Sequence, residues 1–83
     1  MTTITLAAVA APFDRDLDAD FVRIEQLAEK ARADGVGLLA LPEAALGGYL
    51  ADLDGEAEGP PALALDGPEI TRLAAIAQDM VVV

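Results

Sequence analysis

The residue in this sequence best placed to do chemistry is Glu43. It comes directly after the apolar segment Leu38–Pro42 and shortly before Gly47-Gly48. In open α/β sheets, ligand and catalytic groups gather at the carboxyl ends of the strands. Proline restricts the backbone before the carboxylate, and the two glycines allow the chain to turn back over it. Such a carboxylate is suited to general acid–base catalysis, although a solvated loop glutamate that caps a short helical turn has the same pattern.

The chain lacks several residue types that catalytic sites use. It contains no Cys, His, Ser, Asn or Trp. Serine and cysteine triads therefore cannot be assembled from these residues, and zinc, haem and iron–sulfur sites lack the His and Cys ligands that they ordinarily use. An oxygen-ligand site for Mg²⁺ or Ca²⁺ is the metal chemistry that the composition permits. The absence of Cys also excludes a disulfide framework.

Length and charge narrow the class of protein further. The 83 residues are 54% hydrophobic and carry a formal net charge of −10, so the chain is too apolar for a disordered acidic tail. Its length fits one domain at most, with a marginal core if it stands alone. The acidic balance disfavours nucleic acid, and no apolar run is long enough to cross a membrane. The first basic residue, Arg15, follows an apolar stretch instead of preceding it, unlike a secretory signal, so we expect a cytoplasmic protein.

The first half of the chain predicts a βαβ unit. The short apolar run Ile4–Val9 is typical of a strand, and apolar residues recur at helical spacing over Phe21–Ala33. The run Val36–Leu41 has no alternating polar residues, which favours a strand buried on both faces of a parallel sheet. Four aspartates spaced by two precede the helix, and Asp18 or Asp20 is suited to be its N-cap.

Gly35 is placed to end that helix, and a loop, a second helix and a third strand are predicted to follow the second strand. The segment Ala44–Asp66 is rich in Gly, Pro and acidic residues and indicates a long loop. Asp66 is a candidate cap for a helix with Pro68 in its first turn. Met80–Val83 is typical of the start of a third buried strand. A sheet that stops there has a bare apolar edge, so we expect the chain to be a piece of a longer protein.

The stretch Leu38–Tyr49, LLALPEAALGGY, resembles the first catalytic motif of the nitrilase superfamily, the carbon–nitrogen hydrolases. The surroundings agree with the family pattern, which has an opening strand, an amphipathic helix, a Pro-Glu strand end, an acidic loop and a helix introduced here by Gly67-Pro68-Glu69. The family often has a Gln near the end of the first strand, where this chain has Ala10 or Ala11. The resemblance covers the whole chain.

The resemblance implies an α/β fold in which residues 1–83 are an incomplete N-terminal fragment of the domain, the βαβ-α-β part of an αββα sandwich. It also implies a Glu–Lys–Cys centre, in which a thiolate attacks a nitrile, amide or carbamoyl carbon. Glu43 matches the glutamate, which acts as general base. The lysine and the cysteine lie beyond Val83 in the family pattern, and Lys30 falls on the exposed side of the first helix, so this chain alone is expected to be inactive.

Further expectations concern ligands and partners. Tyr49 is a candidate substrate-binding residue near Glu43, and a packing role at the rim of the pocket is an equal alternative. The resemblance implies no cofactor and no metal, a small-molecule nitrile or amide substrate, and a complete protein that forms homo-oligomers. Neither a nucleic acid nor a membrane is expected as a partner.

Two other functions stay open. Glu43 with Asp52 and Asp54 is similar to the carboxylate layout of Mg²⁺-dependent phosphoryl-transfer domains, although Gly48–Ala51 is a poor strand to precede such a pair. If the natural chain stops at Val83, a non-catalytic acidic α/β interaction fragment, which pairs its open edge with a partner strand, is the other alternative.

Overall fold

A computed structural model describes residues 2–13, 15–47 and 63–83 of the chain. Within them, strands and helices alternate along the sequence. In chain order the elements are β1 (Leu6–Ala8), α1 (Leu17–Ala33), β2 (Leu38–Ala40), α2 (Pro68–Ala77) and β3 (Val81–Val82). The strands form one parallel sheet in the order β1-β2-β3, so β2 is central. The predicted βαβ unit and third strand are confirmed.

The regular part of each strand is shorter than predicted, but pairing continues past its ends. At the amino ends of the strands, the backbone N–H of Gly37 donates to the carbonyl of Thr5 at 2.8 Å. At their carboxyl ends, the N–H of Val9 donates to the carbonyl of Ala40 at 2.8 Å, and the N–H of Leu41 donates to the carbonyl of Val83 at 2.7 Å. The carboxyl ends of all three strands are therefore tied together.

Both helices pack on one face of this sheet. The strand register places Ala7, Leu39 and Val82 side by side, and all three contact the helical core. Two successive right-handed crossovers that step across a sheet in one direction place their helices on the same face. The buried residues of this core come from both helices, the central strand and the turn before β3: Phe21, Ile24, Ala28, Ala31, Leu39, Ile76 and Met80.

The opposite face of the sheet is apolar and open among the described residues. Leu6, Leu38 and Val81 are register partners on this face, where Leu6 is 63% and Val81 52% exposed. The expectation that the second strand is buried on both faces is wrong for the described part of the chain, because neither helix there covers this side. The expectation that the third strand is buried is wrong at Val81 for the same reason. Parallel sheets usually have both faces covered.

Helix α1 begins one turn earlier than predicted. Its N-cap is Asp16, whose Oδ1 accepts hydrogen bonds from the backbone N–H groups of Asp18 (3.0 Å) and Ala19 (3.2 Å). A side chain in this role satisfies donors that the first turn leaves without partners. The expectation that Asp18 or Asp20 caps the helix is therefore wrong, because both lie inside its first turn.

Glycines mark the end of α1 and the start of α2. Gly35 follows α1 with a left-handed φ of 76°, as predicted. Gly67 is the N-cap of α2, so the expectation that Asp66 caps this helix is wrong. Pro68 and Glu69 occupy its first turn, as predicted. Neither helix in the described part of the chain combines the length and the apolar character that crossing a membrane requires.

The turn that follows α2 holds a glutamine in a backbone conformation typical of glycine. Gln78 has φ 53° and ψ −120°, and the N–H of Met80 donates to the carbonyl of Ala77 at 2.9 Å. These are the features of a type II′ turn, whose first central position favours Gly. The Cβ of Gln78 therefore strains this turn.

We expect Gln78→Gly to stabilise the protein by about 0.5–1 kcal/mol, because relief of the positive-φ strain outweighs the extra freedom of the unfolded chain. The matched change Gln26→Gly, in the interior of α1, should destabilise by about 0.5–1 kcal/mol, because glycine weakens a helix. Urea denaturation midpoints measure both effects. A lower midpoint for Gln78→Gly would contradict the assignment of strain.

Candidate active site

Glu43 lies just beyond the carboxyl end of the central strand. After β2 ends, the N–H of Leu41 still pairs with the carbonyl of Val83, and Pro42 then leads the chain out of the sheet. The Glu43 side chain is exposed. Because the neighbouring strands run parallel to β2, their carboxyl ends lie at the same end of the sheet. The Glu43 carboxylate is thus at the end where parallel sheets place ligand and catalytic groups.

The turn at residues 43–47 has an unusual backbone. Ala44 has φ 59° and Gly47 has φ 99°. Glycine takes such angles without strain, whereas a residue with a Cβ loses about 1–2 kcal/mol. A right-handed helical turn after Glu43 is therefore not formed, which argues against the helix-capping alternative for this glutamate. Sparsely populated conformations like that of Ala44 persist where the surroundings hold them.

Packing and one buried hydrogen bond hold this turn. Ala45 and Gly47 are buried, and Leu46 packs against the edge of the core. The Oδ2 atom of Asp20 accepts a hydrogen bond from the backbone N–H of Gly47 at 3.1 Å. Asp20 is 2% exposed and is the one charged side chain that is buried among the described residues. The first turn of α1 and the turn that carries Glu43 are therefore joined directly.

Asp20 is the residue of this region whose role the sequence analysis does not identify, since its place before the apolar spacing indicates only a helix cap. Its spacing contained the signal. Asp20 lies four residues before Ile24 and eight before Ala28, so it belongs to the apolar stripe that α1 turns toward the sheet. A carboxylate at such a position is buried and requires a hydrogen-bond donor.

The cations between the two helices already have partners in the protein. Arg72 lies over the ring of Phe21, 4.3 Å from its centroid, and its Nη2 is 3.6 Å from Glu25. Arg32 donates from Nη1 to the carbonyl of Ile76 at 2.6 Å, which satisfies an acceptor in the last turn of α2. These contacts join α1 to α2 and do not form a binding site for an anion.

Of the other candidate residues, the structure describes Lys30 and does not describe the three that follow Gly48. Tyr49, Asp52 and Asp54 lie outside the described residues, so the substrate-binding role and the magnesium alternative stay predictions. Within the described ranges, no group of three or more His, Cys, Asp or Glu side chains is arranged to hold a metal ion. Lys30 is exposed in the last turn of α1, as predicted.

We expect Ala44→Gly to be at least as stable as the parent chain and Ala44→Val to lose about 1–3 kcal/mol, because a β-branched residue tolerates positive φ poorly. The control Ala33→Val, at the exposed end of α1, should cost under about 0.7 kcal/mol, the ordinary difference in helix propensity. Urea denaturation of the three variants measures this. Equal losses for the two valine variants would show that the turn is not strained.

Comparison with known proteins supplies the family. The family model described as carbon–nitrogen hydrolase matches residues 5–83. No curated protein matches the chain at a significant level. No solved structure does so either. The match covers both helices, all three strands and the turn that carries Glu43. The chain belongs to the carbon–nitrogen hydrolase family.

Proposed function

We propose that Glu43 is the general base of a hydrolase that cleaves non-peptide carbon–nitrogen bonds in small nitriles, amides or carbamoyl compounds. One observation carries the proposal: the exposed Glu43 carboxylate lies at the carboxyl ends of the strands, in a turn that is held before it by a sheet hydrogen bond and after it by a buried one. Membership of the family supports the class of reaction. Because the backbone on both sides of Glu43 is held, the base is presented to a substrate without a large loss of backbone freedom on binding.

The proposed reaction divides among three groups. A cysteine thiolate attacks the nitrile or carbonyl carbon, and a lysine stabilises the tetrahedral intermediate. With an amide, Glu43 takes the proton of the thiol and gives it to the departing ammonia or amine; it then takes a proton from the water that attacks the acyl thioester and returns that proton to the thiolate as the acid leaves. A nitrile first adds the thiol to form a thioimidate and takes up one further water before its nitrogen leaves as ammonia. The 83 residues contain no Cys, so we propose that the thiol comes from residues outside them.

The lysine of the proposed centre is not Lys30. Helix α1 runs antiparallel to the strands, because it connects β1 to β2 in a parallel pair. Its last turn, which contains Lys30, therefore lies toward the amino ends of the strands, away from Glu43. Since this is the one lysine of the chain, we propose that the catalytic lysine also lies outside the 83 residues.

In the complete hydrolase, meaning these residues together with those that supply the thiol and the lysine, Glu43→Gln should lower kcat by at least about a hundredfold, because an amide cannot take the proton. The control Glu29→Gln, on the exposed face of α1, should leave kcat unchanged. Release of ammonia or amine from a panel of amides and nitriles measures both. Near-normal turnover by Glu43→Gln would refute the proposal.

We also propose that the open sheet face packs against the second sheet of an αββα sandwich in the complete protein. The support is the apolar surface formed by Ile4, Leu6, Val81 and Val83, each more than half exposed among the described residues. Two sheets that pack face to face bury such side chains between them. The homo-oligomeric state and the cytoplasmic location stay predictions of the sequence.

The sandwich predicts that Leu6→Lys is tolerated in the isolated 83 residues and destabilising in the complete hydrolase. In the isolated 83 residues, which we expect to be inactive and marginally stable, the change should alter stability by less than about 0.5 kcal/mol, because Leu6 is on the surface. In the complete hydrolase it should cost several kcal/mol, roughly the penalty for burying an unpaired charge. Urea denaturation compares the two. Equal tolerance in both would exclude a second layer over Leu6.

A further inference from the structure

We propose that Asp20 is a positioning residue for Glu43. The proposal rests on the role proposed for Glu43 as general base. The carboxylate of Asp20 accepts the backbone N–H of Gly47 at 3.1 Å, across 27 residues of sequence, and both residues are buried. Asp20 does not reach the reaction itself. It sets the conformation of the turn from which Glu43 projects.

The topology explains why an aspartate in α1 reaches this turn. A helix that connects two parallel strands starts near their carboxyl ends and returns toward their amino ends. The first turn of α1 therefore lies near the carboxyl end of β2, which Glu43 follows. The cap formed by Asp16 fixes the start of the helix, and the burial of Ile24 and Ala28 fixes the face that Asp20 shares.

The turn is held at two points, and Glu43 lies between them. Before Glu43, the N–H of Leu41 pairs with the carbonyl of Val83 at 2.7 Å. After it, the N–H of Gly47 pairs with Asp20. Between these points Ala44 keeps a positive φ that alanine avoids when unrestrained. If the second point is lost, Ala44 can return to negative φ, and this rotation of the backbone moves the adjacent Glu43.

The chemistry of the contact favours a specific role over general packing. A charged acceptor makes a stronger hydrogen bond than a neutral one, and a buried amide without an acceptor is unfavourable. An apolar side chain at position 20 would extend the apolar stripe of α1, yet the chain has a carboxylate there. The carboxylate therefore supplies what packing alone cannot, which is a directed acceptor for Gly47.

The test compares four variants of the complete hydrolase: Asp20→Val, Asp20→Ala, Asp20→Asn and the control Asp18→Ala. Asp20→Val and Asp20→Ala remove the acceptor, the first with a slightly larger apolar side chain and the second with a smaller one, so in both kcat should fall by about ten- to a hundredfold with a smaller change in KM. Asp20→Asn keeps an acceptor oxygen and should restore most of kcat. The control Asp18→Ala, in the same turn of α1 with a side chain that is 96% exposed, should match the parent enzyme.

Hydrogen exchange at the Gly47 amide, followed by NMR, gives a readout that does not depend on activity. Exchange should be fastest in Asp20→Val, slower than that in Asp20→Asn, which keeps a neutral acceptor, and unchanged from the parent in Asp18→Ala. Slow exchange or normal kcat in Asp20→Val overturns the positioning role. If Asp20→Val and Asp20→Ala both fail to fold while Asp20→Asn folds, Asp20 is a folding residue and the proposal is also overturned.

Together with Glu43→Gln, these variants separate this proposal from the one on which it rests. An active Glu43→Gln enzyme refutes the general base, whatever Asp20 does. An inactive Glu43→Gln enzyme together with an unimpaired Asp20→Val enzyme refutes the positioning role and leaves the base in place. Loss of kcat in both, with protection of the Gly47 amide lost only in Asp20→Val, supports both proposals.

Discussion

Parallel pairing of β1 with β2 forces the chain to cross back over the sheet through α1, and most of the structure depends on this constraint. Because the helix must run against the strands, its start is placed beside their carboxyl ends. The acidic first turn of α1 therefore meets the turn after β2. Acidic side chains are favourable near the positive end of a helix. One of them, Asp20, is directed inward and joins the two segments.

The same constraint explains the two unequal faces of the sheet. Both crossovers step in one direction, so both helices share a face, and the residues of the other face are left to the surface in the described part of the chain. The unusually apolar composition, at 54% hydrophobic, is consistent with a sheet prepared for burial on both sides. Arg72 and Arg32 lie between α1 and α2, where each contacts an acceptor oxygen of the protein.

How far the sequence predicts this structure depends on the kind of signal. Periodicity over Phe21–Ala33 and the bounded run before Pro42 identify α1 and β2, because apolar spacing is strong over such lengths. The sequence pattern places the start of α1 one turn too late, because alternating aspartates are equivalent as caps until tertiary packing turns Asp20 inward. The positive φ of Ala44 and of Gln78 was not predictable, since neither residue type signals it and the surrounding contacts impose it.

Asp20 and Glu43 show how one residue type takes two roles through its surroundings. A carboxylate that exchanges protons with a substrate must be accessible, and Glu43 is exposed at the end of a strand. A carboxylate that directs a backbone must be held by packing, and Asp20 is 2% exposed between α1 and the turn. Exchanging these surroundings would abolish both roles, because a buried base cannot reach a substrate and an exposed acceptor is shared with water. The rigidity of the candidate base therefore comes from the residues behind it, and this is why a buried aspartate matters to the proposed chemistry.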